Sequence, residues 1–264
     1  MTFRSVCTLI AVSTLALTGA CAAREALIIT ASADDPAAER MRLVFTEAHA
    51  AVSTFWGEPF PGQVEVTLAA DRASFDAAFP PDWGIETQCW MVGAGVADLL
   101  LYLSPSVWAE EACDHDPNDA RHVLDIAVHE LAHVYHGQVN PTRDFTGAEE
   151  IGWFIEGLAV VVAGQLERDR YSDPAVAIRE GAAPAKLQNA WSGQYRYAVA
   201  GSITNYIDQT YGRGALYDLM RVTTETELLD TLGVSEQQLL DAWRNWVLNQ
   251  RPGQSQREKG SMRE

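Results

Sequence analysis

Apolar residues recur every three or four positions between residues 34 and 56, and this period predicts an amphipathic helix that Gly57 ends. Residues 64–68 alternate between apolar and polar side chains, which predicts a half-buried β-strand. Residues 72–79 have the pattern of a short helix, and Pro80 follows it directly. The first part of the chain is therefore predicted to mix helices with strands.

Two further strands are predicted at 90–97 and 99–103. The first contains two glycines, which inside a strand either weaken it or let another backbone approach closely. Two interpretations stay open for Gly93, Ala94 and Gly95. They form a bulge or tight hairpin, or they form an edge strand that binds an extended peptide substrate by β-augmentation.

A long apolar helix is predicted in the middle of the chain, from Asp116 to His136. Asp116 is the expected N-cap and Pro117 the expected first-turn proline, while Gly137 is expected to end the helix. Because most of its residues are apolar, this helix is predicted to be largely buried.

The remainder of the chain is predicted to be mainly helical. A polar loop at 140–147 leads to a second strongly apolar helix at 149–166, and residues 171–193 have no regular pattern. Three further helical patterns lie at 195–211, 214–222 and 235–248. The order of the elements predicts an α+β fold, in which a small mixed β-sheet is followed by the central helix and a mainly helical C-terminal lobe.

Composition is consistent with one globular, enzyme-sized domain. The chain has 264 residues, of which 47% are hydrophobic, and the domain is expected to span residues 24–250. A formal net charge of −17 argues against nucleic acid as a partner, because the chain has too few cations to displace phosphate counterions. The polar segment 251–264 is predicted to be a disordered tail.

Residues 1–22 have the composition of an export signal, with a positive start at Arg4, an apolar segment too short to span a bilayer, and small residues at the end. Two alternatives stay open for its processing. Residues 17–21 resemble a bacterial lipobox, in which Cys21 becomes a lipid anchor, or the signal is cleaved near Ala22. The protein is expected to be exported to the periplasm or cell envelope, and to contact the membrane only through a lipid at Cys21.

Two cysteines, Cys89 and Cys113, lie outside the predicted signal. An even pair in an oxidising compartment is expected to form a disulfide. The alternative, that these thiols bind zinc, lacks the closely spaced partner cysteine of most zinc sites.

The predicted chemistry of the chain lies in one stretch of the central helix, His129-Glu130-Leu131-Ala132-His133. Residues four apart share one helix face, so the two imidazoles converge while Glu130 points beside them. Two neutral imidazoles can bind Zn²⁺, and the adjacent carboxylate can take a proton from water at the metal. The motif therefore predicts a zinc centre with Glu130 as general base.

A catalytic zinc ion needs a third protein ligand, and two candidates stand out. His136 lies on the same helix face, but three successive turns of one straight helix do not easily surround one ion, so we interpret it as an outer-sphere or solvent-facing histidine. Glu156 is a single carboxylate within the second apolar helix, where burial is costly unless a cation accompanies it. We therefore favour Glu156 as the third ligand.

The central motif, followed by a Trp-Phe-x-Glu-Gly-x-Ala segment at 153–159, resembles the gluzincin metallopeptidases, the group of thermolysin and membrane alanyl aminopeptidase. The resemblance implies a zincin-like fold in which Glu156 is the third zinc ligand. It also implies that a tyrosine hydroxyl from a later helix hydrogen-bonds the developing oxyanion. Tyr197 is the first choice for this role and Tyr195 the second.

Two features depart from the family pattern. Twenty-two residues separate the second histidine from the ligand glutamate, a few more than in the aminopeptidases, which predicts a longer loop. The thermolysin pattern also has an aspartate four residues after the ligand glutamate, where this chain has Val160. The residue that orients His129 is therefore open. The candidates are Asp144, Glu149 and Glu150.

Together these features predict an exported zinc metallopeptidase that hydrolyses a peptide or protein substrate. The alternative is a cell-envelope protein that binds zinc without catalysis and retains a peptidase fold. The intact Glu130 favours the enzyme, because a purely structural site has no use for an unliganded base.

Overall fold

The computed structural model describes residues 26–80, 86–167 and 174–250. The predicted export signal with Cys21, and the predicted tail, lie outside the described residues. Within the described ranges, none of the helices has both the length and the apolar character needed to cross a membrane.

Four strands form one mixed sheet, and their bounds are β1 (Leu27–Ala31), β2 (Val64–Ala69), β3 (Gly93–Val96) and β4 (Leu99–Leu103). Their order across the sheet is β1-β2-β4-β3. β1, β2 and β4 are parallel, whereas β3 pairs antiparallel with β4 and forms an edge. The small mixed sheet, placed ahead of a largely helical remainder, confirms the predicted α+β class.

Helices make up most of the remaining described chain. They are α1 (Ala38–Trp56), α2 (Arg72–Ala77), α3 (Trp108–Glu111), α4 (Ala120–Val139), α5 (Gly152–Val162), α6 (Pro174–Arg179), α7 (Arg196–Leu219), α8 (Glu225–Leu232) and α9 (Glu236–Asn249). Gly212 has a φ of 85° and breaks α7 at the gap between two of the predicted helices.

The sequence prediction lacks β1, α6 and α8. β1 is a five-residue strand whose pairing with β2 cannot be deduced from its own residues. α6 lies inside the segment predicted to be irregular. α8 is a short helix whose N-cap, Thr224, accepts from the backbone N–H of Glu227, and Gly233 ends it in a left-handed conformation.

The start of the central helix differs from the prediction. Asp119, rather than Asp116, is the N-cap of α4, and its side chain accepts from the backbone N–H of His122 at 2.9 Å. Asp116 instead accepts from the N–H of Asn118, in the turn that precedes the helix. An aspartate four residues before a helix can satisfy a local turn as readily as a cap, which is why the prediction was wrong.

The end of α4 also differs, because the helix continues through Gly137 to Val139. Gly137 serves packing here. A side chain at this position would collide with the backbone carbonyl of Arg143 and lie within 2.9 Å of the backbone nitrogen of Ala97. The glycine therefore lets the loop after α4 cross close to the turn between β3 and β4.

α4 lies at the centre of the molecule. It packs against α1, against β3 and β4 of the sheet, and against α5, which in turn packs against α7. Most of its side chains are buried, as predicted, and they include His129 and His133. Because α4 has neighbours on several sides, core packing fixes the direction in which these two histidines point.

Cys89 and Cys113 form a disulfide, as predicted. The bond joins the segment that enters β3 to the segment that follows α3. Disulfides persist in non-reducing compartments, so the bond indicates that the protein functions in such an environment.

Candidate metal centre

Two helices supply the three side chains of a candidate metal centre. His129 and His133 project from successive turns of α4, and Glu156 projects from the adjoining helix α5. One donor atom from each residue lies within 4.8 Å of the other two. The structure therefore brings together the three ligands that the sequence predicts.

The spacing of the donor atoms suits a tetrahedral metal ion. The Nε2 atoms of His129 and His133 are 3.2 Å apart. Oε2 of Glu156 lies 3.4 Å from the first of these nitrogens and 3.7 Å from the second. Ligands about 2.1 Å from a tetrahedral ion are separated by about 3.4 Å, which is within the observed range. The three side chains could thus hold a metal ion in the positions that they occupy.

Gln165 orients the first ligand. Its Oε1 lies 2.9 Å from Nδ1 of His129, and both side chains are buried. A carbonyl oxygen can only accept, so Nδ1 carries the proton and Nε2 keeps its lone pair for the metal. This outer partner is a neutral amide on the turn after α5, and sequence reasoning missed it.

The three carboxylates considered for that role have other partners. Asp144 accepts from the backbone N–H of Thr146, and Glu149 accepts from that of Gly147. Glu150 accepts from the backbone N–H of Glu225 at 3.5 Å. Asp144 and Glu149 thus make contacts within their own loop and Glu150 contacts the start of α8, so the question that the sequence left open is answered by Gln165 and by none of the three candidates.

The electrostatics of the cluster keep the carboxylate of Glu156 charged. Burial alone raises the pKa of Glu156, but the neighbouring imidazoles, through charge and hydrogen bonds, outweigh burial and hold that pKa well below its usual range. Burial lowers the pKa of His129, yet the hydrogen bond with Glu156 and the charge of Glu130 reverse the direction and raise it. The carboxylate thus stays ionised at neutral pH, as a metal ligand must.

Glu130 lies beside the cluster, between α4 and the edge strand β3. The backbone N–H of Gly95 donates to its Oε2 at 2.9 Å. Its other oxygen is not part of the three-ligand cluster. This hydrogen bond fixes the orientation of the Glu130 carboxylate at the wall of the cleft.

The two glycines of β3 allow this close contact. A side chain at Gly93 would lie 2.6 Å from Cγ of Glu130, and a side chain at Gly95 would collide with the backbone carbonyl of the same residue. The ladder between β3 and β4 is continuous from Gly93 to Val96, so the segment contains no bulge. β3 is therefore both one arm of a tight hairpin and the edge of the sheet. Its two glycines allow the strand to pack closely against α4.

The free edge of β3 faces the cleft. Leu103 donates its backbone N–H to the carbonyl of Val92, which places that pair in hydrogen-bonded register. Successive pairs alternate in an antiparallel ladder, so the backbone groups of Gly93 and Gly95 point away from β4. Both glycines and Ala94 line the cleft that contains the ligand cluster.

Tyr197 lies beside the metal ligands and Tyr195 does not. The ring centroid of Tyr197, near the start of α7, is 6.5 Å from that of His129, and its side chain lines the cleft. The hydroxyl of Tyr195 instead donates to Glu180 on the protein surface. Of the two tyrosines predicted for the oxyanion, only Tyr197 is near the cluster.

His136 is neither a ligand nor solvent-facing. Its ring is almost fully buried and packs edge-on against Phe145 and Phe154. Burial, together with the charge of His133, lowers the pKa of His136 to about 3. This histidine is therefore a neutral core residue at physiological pH.

The cluster opens into a cleft of about 820 Å³ between the sheet edge and the helices behind it. Its walls combine apolar side chains with the ligands and a few charged groups, which is the usual character of a small-molecule or peptide site. No protein family, curated protein or solved structure shows a significant match to the chain.

Proposed function

We propose that the protein is a zinc-dependent metallopeptidase with a zincin-like fold. The observation that carries this proposal is the joint placement of three metal ligands and an unliganded carboxylate, Glu130, at the wall of one open cleft. Two imidazoles and one carboxylate at tetrahedral spacing match the ligand set of catalytic zinc sites in peptidases. A purely structural zinc site has four protein ligands and no open face.

The ligand histidines and Glu156 would hold Zn²⁺, which supplies the charge that polarises a scissile carbonyl and brings the pKa of water to about 7. Glu130 accepts the proton released as water attacks the carbonyl carbon, and it passes this proton to the leaving amine. The hydrogen bond from Gly95 holds the carboxylate in one orientation throughout. The hydroxyl of Tyr197 donates a hydrogen bond to the carbonyl oxygen of the substrate, which becomes negative as water attacks.

The substrate in this proposal is an extended peptide. The outward-pointing N–H and carbonyl of Gly93 and the carbonyl of Gly95 offer hydrogen bonds to a strand added at the sheet edge, while the N–H of Gly95 donates to Glu130. Ala94 lies between them and lines the same cleft. A peptide bound at this edge would pass directly in front of the metal ligands.

Zinc analysis and hydrolysis assays test the proposal together. Glu130→Gln keeps the size and hydrogen bonding of the side chain but removes the base, so we expect a folded, zinc-binding protein that no longer hydrolyses peptides. Elemental analysis measures zinc, and mass spectrometry of a mixed peptide library measures cleavage. Glu110→Gln, an exposed position on α3 outside the cleft, is the matched control.

Three results would contradict the proposal. Stoichiometric zinc without cleavage by the wild type would indicate the non-catalytic zinc-binding protein. Full activity of Glu130→Gln would remove the proposed base. A preference for iron over zinc would change the reaction class, because two histidines and one carboxylate also bind iron in oxygenases.

Export to the periplasm or cell envelope is part of the same proposal. The disulfide between Cys89 and Cys113 supports it, because such bonds persist outside the reducing cytosol. Mass spectrometry of the mature N-terminus would distinguish an acylated Cys21 from cleavage near Ala22. A mature protein that retains Met1 would refute export by this signal.

A further inference from the structure

The cleft contains one cation that the proposed reaction does not use. Arg196, the first residue of α7, is the single arginine or lysine among the described residues that line the cleft. Its guanidinium forms no ion pair within the described part of the chain. In a protein with a formal net charge of −17, an unpaired cation inside a cleft is unusual.

Three aromatic rings hold the guanidinium in place. Its carbon lies 5.3 Å from the ring centroid of Trp90, 5.4 Å from that of Trp191 and 5.2 Å from that of Tyr197. Trp90 is 40% exposed, so the guanidinium that stacks on it lies at the rim of the cleft. Cation–π contacts fix the position of the arginine while leaving its N–H donors available to an anion.

The charges of the cleft are segregated along β3. Trp90 and Arg196 lie toward the start of the strand, since Trp90 precedes it by three residues. Asp144 and Glu149 also line the cleft, and they belong to the loop after α4. The backbone of Arg143 in that loop passes beside Ala97, just beyond the end of β3, and the charge of Arg143 is paired with Asp98. The edge strand therefore runs from a cationic end to an anionic end.

This polarity matches the direction of an antiparallel peptide. A strand added antiparallel to β3 has its C-terminal side beside the start of β3 and its N-terminal side beside the end. The C-terminal side of the substrate then approaches Arg196, and the N-terminal side approaches the acidic loop. In this direction the peptide carboxylate faces the cation and the peptide amine faces the acidic loop. In the opposite direction, like charges would face each other.

The distance from the metal ligands limits which substrate residue can reach the cation. The guanidinium is 5.2 Å from the centre of the Tyr197 ring, which is 6.5 Å from the centre of the His129 ring. Arg196 therefore lies within about 12 Å of this ligand, and an extended peptide advances by about 3.3 Å per residue. The reachable positions are the first three residues after the cleaved bond.

We propose that Arg196 is a specificity-determining residue that binds a substrate carboxylate within the first three residues on the C-terminal side of the cleaved bond. This inference rests on the proposed peptidase function. The carboxylate is either an acidic side chain or the C-terminus of the peptide, and both would form charge-assisted hydrogen bonds with the guanidinium.

Matched peptides distinguish these two sources. A library of octapeptides with free or amidated C-termini is incubated with the zinc-loaded wild type, and mass spectrometry identifies the cleaved bonds. We expect Asp, Glu or a free C-terminus at the three positions after the cleaved bond. A preferred peptide is then compared with its Glu→Gln or C-terminally amidated form, which assigns the carboxylate.

The variant Arg196→Gln should lose this preference. We expect kcat/KM for the anionic peptide to fall about tenfold or more, mostly through KM, and that for the neutral peptide to change little. Arg196→Lys should restore part of the preference, because it keeps the charge without the forked donors. Arg221→Gln is the matched control, since Arg221 also stacks on a tyrosine but does not line the cleft.

Equal cleavage of anionic and neutral peptides by the wild type would overturn the inference, as would a preference on the N-terminal side of the bond or one that Arg196→Gln retains. If the wild type cleaves no peptide, the proposed function fails. The role of Arg196 is then tested separately, by measuring the affinity of the protein for the same peptides. Fluorescence anisotropy of dansylated forms of the same peptides, with zinc-loaded protein, should then show tighter binding of the anionic forms in the wild type alone. Equal affinities would refute the role of Arg196.

Discussion

Gln165 provides the sharpest test of the metal centre, because it contacts a ligand but has no other proposed role. Gln165→Leu keeps a side chain of similar volume and removes the acceptor for Nδ1 of His129. Both residues are buried, with exposed fractions of 3% for Gln165 and 7% for His129. Water therefore has little access to replace the lost hydrogen bond of 2.9 Å.

The magnitude follows from this burial. A buried donor left without an acceptor costs about 1–3 kcal/mol, and loss of an outer partner of a ligand histidine weakens metal binding about 10- to 100-fold. The two figures agree, since a tenfold change in affinity is about 1.4 kcal/mol. We expect the zinc affinity of Gln165→Leu to fall in this range while the fold is kept.

Zinc affinity is measured by competition with a chromophoric chelator, and circular dichroism monitors the fold. Gln165→Glu is the informative partner variant, because a carboxylate retains an acceptor and should keep zinc affinity at or above the wild-type value. Equal affinity in the wild type and in folded Gln165→Leu would refute the claim that this amide sets the tautomer of His129.

Two further predictions concern packing and acid stability. Gly95→Ala forces a side chain into the backbone of Glu130, so it should destabilise the protein by about 2 kcal/mol in urea unfolding, whereas Gly152→Ala, where nothing lies within 4 Å, should be nearly neutral; a neutral Gly95→Ala would contradict the close contact. Burial lowers the pKa of His136 to about 3, so the unfolded chain binds this proton first and stability is lost as pH falls from about 6.5 toward 3. Metal-free wild type should thus lose about 3 kcal/mol more than metal-free His136→Leu between pH 7 and pH 4 in chemical denaturation, and parallel losses would show that His136 is not the source.

Two kinds of feature could be predicted from the sequence: helices with a clear hydrophobic period, and a charged side chain in an apolar helix, where burial is unfavourable without a cation. The 3.6-residue period located α4, and the same period placed both histidines on one face before any contact was known. Glu156 could be identified because an isolated carboxylate in an apolar helix needs a compensating cation. These are local properties, and they hold whatever the rest of the chain does.

The missed parts depend on contacts between distant segments. Gln165 is a neutral residue that follows Glu156 by nine positions, and nothing in its own neighbourhood indicates that it meets His129. Arg196 is similarly ordinary in sequence, and only the fold brings Trp90 to it. β1 lacks any pattern of its own beyond a short apolar run, so its place in the sheet comes from its pairing with β2. The N-cap of α4 was also mispredicted, because Asp116 and Asp119 are both suitable cap residues and the sequence does not show which of them begins the helix.

The backbone contact between Gly95 and Glu130 makes the proposed base and the sheet edge one mechanical unit. Breathing of the helical lobe would widen or narrow the space in front of that unit, but it would not change the separation between the carboxylate and the strand. Movement of the helical lobe would therefore leave the position of the Glu130 carboxylate relative to β3 unchanged, provided that Gly93 and Gly95 have no side chains.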